Sequence, residues 1–179
     1  MAQQYFTDSE WEMLVQSPTQ VAITVLLADK TDPISFLREV KAAIDFLRNE
    51  EERTDLSSDL IKSLSSSLAE RTAAESLQGE ELLLKREFEL LGSLQTLKSA
   101  SEGRTKAIAH LNEVSNILAA KLPANQASEF KNWLVALARS IAEAVKEEGL
   151  LGGRIGGERI SKSEAAAIAS IEKALSISV

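Results

Sequence analysis

The residues best equipped to do chemistry in this sequence lie near its C-terminal end. Five of the chain's eight glycines fall in the twelve residues Gly149 to Ile160, interrupted by Arg154 and Arg159 and followed by Lys162. Glycine leaves backbone amides bare, and a helix beginning at Ser161 presents partial positive charge at its N-terminus. Gly152, Gly153, Arg154, Gly156, Gly157, Arg159, Ser161 and Lys162 therefore form a candidate anion site. The segment is neither Gly-x-x-x-x-Gly-Lys-[Ser/Thr] nor a Gly-x-Gly-x-x-Gly turn after a strand. A tight reversal is the stronger reading, with the glycines at positive φ and Leu151, Ile155 and Ile160 packed on the body of the protein. A phosphate-bearing ligand is the alternative.

Other chemistries find fewer groups. A carboxylate di-metal bundle needs Glu-x-x-His from two helices, but His110 is the single histidine and Ala107 precedes it by three. His110-x-x-Glu113 runs in the reverse order. Axial haem ligation is open to an imidazole, yet a lone helical histidine is ordinarily a packing or surface residue. With no cysteine and no Gly-x-Ser-x-Gly elbow, a nucleophilic hydrolase would have His110 as its only histidine base. The sequence thus gives no catalytic residue, no metal site and no cofactor. Glu50-Glu51-Glu52, with Asp55 and Asp59, could meet a cation or a basic partner. It lacks the alternating ligands and central glycine of a calcium loop, and a solvated helix end is the simpler reading. Trp11 and Trp133 could stack on a ligand, but each lies on an apolar helical face, where packing is the expected role.

The elements that must position these residues read as helices throughout. Thr7-Asp8-Ser9-Glu10 has the form of a capping box, and Ser17-Pro18 reads as a second start, so a break or sharp kink is expected there. Val21 to Ala28 is apolar nearly all round, which predicts a central buried helix. Asp32-Pro33 opens the next, with Ile34, Leu37, Val40, Ile44 and Leu47 as its stripe to about Asn49. Leu56, Leu60, Leu64 and Leu68 predict a helix over 56–78, despite many serines. Gly79 permits a break. Leu84, Phe88, Leu91 and Leu94 carry the following helix, where Gly92 would allow a close backbone approach. Ser101-Glu102-Gly103 marks the next boundary, and Pro123 separates a helix over 104–122 from a long amphipathic one containing Phe130, Trp133, Leu134, Leu137, Ile141 and Val145. That helix is expected to stop at Gly149. Ser161-Lys162-Ser163-Glu164 is a further capping box.

The expected fold is all-α: one domain, 1–179, holding a mostly antiparallel bundle of about seven helices. Aromatics are 4% of residues, so the core must be aliphatic. No internal repeat or sustained heptad favours a coiled coil. The net charge of −7 falls on the first half, since residues 79–179 balance. Such acidity disfavours nucleic acid and anionic membrane surfaces. No run approaches the ~20 apolar residues that span a bilayer, and Met1 to Asp8 lacks a secretory layout. A cytoplasmic setting is expected.

Phe6 to Glu12, the Ala28-Asp29 turn, and Lys146 to Gly153 through Ile160-Ser161 resemble a group of small, uncharacterised bacterial all-helical proteins. The resemblance covers the two ends of the chain, implies a bacterial cytoplasmic protein, and brings no activity with it. The expected role is a non-enzymatic helical interaction or structural module that self-associates as a homodimer. The motive is that 21–28 and 80–97 carry more apolar surface than one stripe requires. An anionic-ligand binder or enzyme using 149–160, and an acidic adaptor for basic partners through 50–59, are the alternatives.

Overall fold

Thr7 begins the first helix as its spacing predicts: its hydroxyl accepts the Glu10 amide, and the Glu10 carboxylate accepts the Thr7 amide in return. The computed structural model describes residues 2–30, 32–150 and 160–177, apart from the side chains of 146–150. A short 3-10 turn, Ala2–Tyr5, is followed by α1 (Asp8–Leu26), α2 (Pro33–Glu51), α3 (Asp59–Ala73), α4 (Glu80–Gln95), α5 (Ala100–Lys121), α6 (Ala124–Leu150) and α7 (Lys162–Ala174). No strand occurs among the described residues, and the protein is an all-α helical bundle.

Pro18 does not break α1, contrary to expectation. Its missing amide deprives the Leu14 carbonyl of its helical donor. The Ser17 hydroxyl supplies the replacement, donating to that carbonyl at 2.6 Å. Ser17 is thus a repair within a continuous helix rather than a cap. The cap at Asp32 is as expected: one carboxylate oxygen accepts from the Ile34 and Ser35 amides.

Two further boundaries move. Ser99 caps α5, so Ser101, Glu102 and Gly103 form its first turn instead of a linker. Gly103 is there because α5 lies hard against its neighbours. A Cβ at this position would come within 2.5 Å of a Leu27 methyl and 2.6 Å of a Leu97 methyl. Helix α6 continues one residue beyond Gly149. The α3 helix is shorter than 56–78, beginning after Ser58 while Leu56 is buried in the preceding turn.

The core is aliphatic, with Leu14, Val21, Leu64, Leu111, Leu134, Ile141 and Ile171 fully buried and Phe130 the largest among them. Helices α1 and α6 sit at its centre, each packing on the other and on α2, α3, α5 and α7. The greasy surface of 21–28 is used here. Val21, Ala22, Val25 and Leu26 are all buried, so that segment offers no surplus for self-association. Helix α5 runs antiparallel to α1. Lys121 pairs with Glu10, His110 meets the Met13 carbonyl, and Arg104 donates to the Leu27 carbonyl. The remaining helix, α4, lies at the edge, with α2 as its main neighbour.

Candidate interaction surface

Helix α4 follows Gly79, whose φ of +59° turns the chain in a conformation that side-chain-bearing residues resist. Leu82 and Leu90 are its buried side chains, with Leu83, Leu91 and Leu94 partly covered against the core. Polar clamps fix its inner edge. Arg86 reaches Glu51 at 3.1 Å and also donates to the Thr72 hydroxyl, which itself donates to Glu51. Lys85 holds Glu75 at 2.6 Å. In the seam with α2, burial pushes the Glu87 carboxyl up; Lys41 opposes this and Asp45 adds to it.

The outer side of α4 is unusual. Phe88 is 67% exposed and Leu84, one turn earlier, 54%. Positions four apart share a helical face, and Gly92 and Gln95 continue the same strip, both exposed. On α2, Ile34 and Leu37 are likewise exposed, at 65% and 51%. Two stripes read from sequence are therefore rotated. Leu84 and Phe88 do not seat α4, a role that falls to Leu82 and Leu90; in α2, Val40, Ile44 and Leu47 are buried without Ile34 and Leu37. The signal was the leucine run at 82–84 with Leu90-Leu91, which gives α4 two apolar faces. Gly92 admits no close approach among the described residues either, since a Cβ there would meet none of them within 4 Å.

The acidic segment is a solvated helix end only in part, with Glu52, Asp55 and Asp59 exposed. Glu50 is buried, and its Oε1 accepts from the Trp133 indole N–H at 2.9 Å and from Arg53 at 2.8 Å. Glu51 faces Arg86, Glu52 pairs with Arg48, and Asp55 pairs with Arg53. The Arg53 guanidinium beside Asp55 draws that carboxyl below its ordinary range. Asp59 stands in the first turn of α3, where negative charge suits the helix dipole.

Six residues of the glycine-rich candidate site, Gly152, Gly153, Arg154, Gly156, Gly157 and Arg159, lie outside the described residues, as do Leu151 and Ile155. Ser161 and Lys162 are described. The Ser161 hydroxyl donates to Asp29 at 2.6 Å and accepts from the Glu164 amide at 3.0 Å, while the Glu164 carboxylate takes the Ser161 amide at 2.6 Å. The expected capping box is present. Two carboxylates stand at this helix start, where an anion would place its charge. Lys162 is exposed.

His110 spends Nε2 on the Met13 carbonyl at 2.8 Å; since a carbonyl can only accept, that nitrogen carries the proton. Trp11 is buried beside Phe6, and Trp133 packs against Phe130 with ring centres 5.3 Å apart. An open cleft of about 630 Å³ between α1, α5 and α7 is lined by Thr24, Arg104, Thr105, Asn112 and Ser163 among others. A larger one of about 770 Å³, beside the 3-10 turn and the start of α3, is lined mainly by polar side chains. No group of acids and histidine among the described residues is placed to hold a metal ion, and no described helix is long and apolar enough to cross a membrane.

The class this defines is an all-α bundle with a well-sealed interior and an apolar strip on its outermost helix. No family model matches the chain, and neither the curated proteins nor the solved structures contain a match to it.

Proposed function

We propose that this chain is a non-enzymatic helical interaction module whose docking face is the outer strip of α4. The carrying observation is the exposure of Phe88 and Leu84 one turn apart on a helix that also buries an opposite face. Large aromatic side chains in water are unfavourable by their full apolar area, and aromatic anchors are what protein interfaces concentrate. Scattered surface leucines need no explanation, but a Phe–Leu pair on one strip does. The expected homodimer is one form such docking takes. Nucleic acid fits poorly as a partner, since the strip carries Glu81 and Glu89 and the chain is acidic.

The acidic adaptor is less well supported, because Glu50, Glu51, Glu52 and Asp55 are engaged within the chain. The anion site draws no support from Ser161, whose hydroxyl is held by Asp29.

A photo-reactive amino acid placed at position 88, in the full chain in its own cells, tests the reading. Discrete adducts are expected that disappear when Leu84→Asp is added. A control at Asn116, exposed on α5, should give none of the same adducts. Absence of any adduct at position 88 overturns the proposal.

A further inference from the structure

Resting on that docking reading, we infer that the occupant of the strip is a second copy of this chain, bound antiparallel through α4. The two-fold axis passes the outer face at the level of Leu90, so that Phe88 of each copy seats over Gly92 of the other.

Shape supplies the first reason. Gly92 is exposed in the last turn of α4, inside the helix and short of its cap at Thr96, where glycine is less suitable than almost any residue but proline. Among the described residues nothing lies within 4 Å of a Cβ built there, so no packing need among them accounts for it. It leaves a gap on the strip one turn from an aromatic ring that is itself uncovered. A projection and a gap about 6 Å apart along one helix are self-complementary under a two-fold: 88 meets 92 and 92 meets 88, as an isologous interface requires. The same register sets Leu84 against the Thr96 methyl and Lys85 against Gln95.

Charge supplies the second. The strip begins with Glu80 and Glu81 and is followed past its end by Lys98, which is exposed. An antiparallel pair brings the acidic start of one α4 beside Lys98 of the other, and it opposes the two helix dipoles. A parallel pair would face Glu81 with Glu81, in a chain that already carries −7. Like charges brought together this way favour the antiparallel arrangement. An unrelated partner need not match both the gap and the charge order, whereas a second copy matches them by construction.

The absence of cysteine makes orientation directly measurable. Light scattering coupled to gel filtration at high concentration should give a dimer for the native chain and a monomer for Phe88→Asp. Gly92→Leu should weaken the dimer by at least about tenfold, while the thermal midpoint measured at monomeric dilution stays level or rises. Oxidation of an equimolar mixture of Glu81→Cys and Lys98→Cys chains should give a mixed disulfide, and Glu81→Cys alone should give none. A monomeric native chain overturns the inference, as does a dimer indifferent to Phe88→Asp or self-linking by Glu81→Cys alone. A monomer whose position 88 still links to a different protein leaves the docking reading standing and removes only the second copy as its occupant.

Discussion

Removing the indole N–H of Trp133 should destabilise the bundle by an amount the structure sets. Trp133→Phe keeps an aromatic ring against Phe130 but deletes the donor that reaches Glu50 Oε1 at 2.9 Å. Glu50 is 7% exposed, so water cannot freely replace that donor. Hydrogen bonds to charged groups contribute about 1.5–3 kcal/mol. Arg53 remains on the same oxygen at 2.8 Å, so the carboxylate is not left without a partner and the lower part of that range applies. The smaller ring adds a packing loss, which a double-mutant cycle with Glu50→Ala removes from the comparison. The expected coupling between the two positions is about 1.5–2 kcal/mol. Urea titrations followed by far-ultraviolet circular dichroism would read it. In thermal melts each kcal/mol should appear as roughly 2–4 °C for a domain of this size. A coupling under about 0.5 kcal/mol, the scatter found for independent sites, would show that Glu50 and Trp133 are merely neighbours.

Three further outcomes follow from local geometry. Ser17→Ala should cost about 1–3 kcal/mol in the same titrations, because the Leu14 carbonyl loses the hydroxyl standing in for the amide that Pro18 lacks; no change would mean that the helix closes without it. Glu12 is held below its ordinary value of 4.5 first by Arg71 and then by Gln16, and Asp32 below 3.8 by the Ser35 hydroxyl and amide. Folded-state values that are depressed give stability that is present above the unfolded values and lost as pH falls through the folded ones. The share of stability owed to these two groups should therefore hold from neutrality to about pH 5 and decline below about pH 4, with Glu12→Gln reducing the acid-dependent loss. Glu87 carries the opposite sign, since burial raises it: its stabilising neutral form is present below its unfolded pKa and is lost as pH rises through the folded one. Glu87→Gln should thus raise the midpoint at pH 7 and leave it unchanged near pH 4, and a lower midpoint at pH 7 would contradict this.

The helices were legible where the signal is local. Both capping boxes, at Thr7 and Ser161, and the Asp32 cap depend on side chains three residues or fewer from the amides they accept, and spacing reveals them. Pro18 signals a break that does not occur, because its consequence depends on the Ser17 rotamer, which no periodicity encodes. Spacing marks Gly103 as a boundary, whereas it answers to Leu27, distant in sequence. The same limit governs the site. Glu50-Glu51-Glu52 reads as a uniform acidic run, yet Trp133 is 83 positions away from Glu50 and Arg86 is 35 from Glu51. Their partners emerge only when α2 meets α4 and α6. The α4 strip was half visible: a surplus of apolar residues over 80–97 was plain, but which leucines face inward is decided by contact with α2.

What gives the α4 strip its meaning is that two separate departures from helix economy coincide there. A solvent-facing position at 88 would be served by Lys or Glu, as 85 and 89 are on the same helix, and a position at 92 by Ala, which the empty space beside it would accept. Phenylalanine in water and glycine within a helix are unfavourable for unrelated reasons, one of solvation and one of backbone entropy. Neither has a counterpart among the described residues that would offset it. Elsewhere the described chain resolves comparable problems internally: the carbonyl freed by Pro18 finds Ser17, and the buried Glu50 finds Trp133 and Arg53. The described chain closes its interior this closely, while Phe88 and Gly92, one turn apart on α4, find no such match among the described residues, and that coincidence is what the docking proposal rests on.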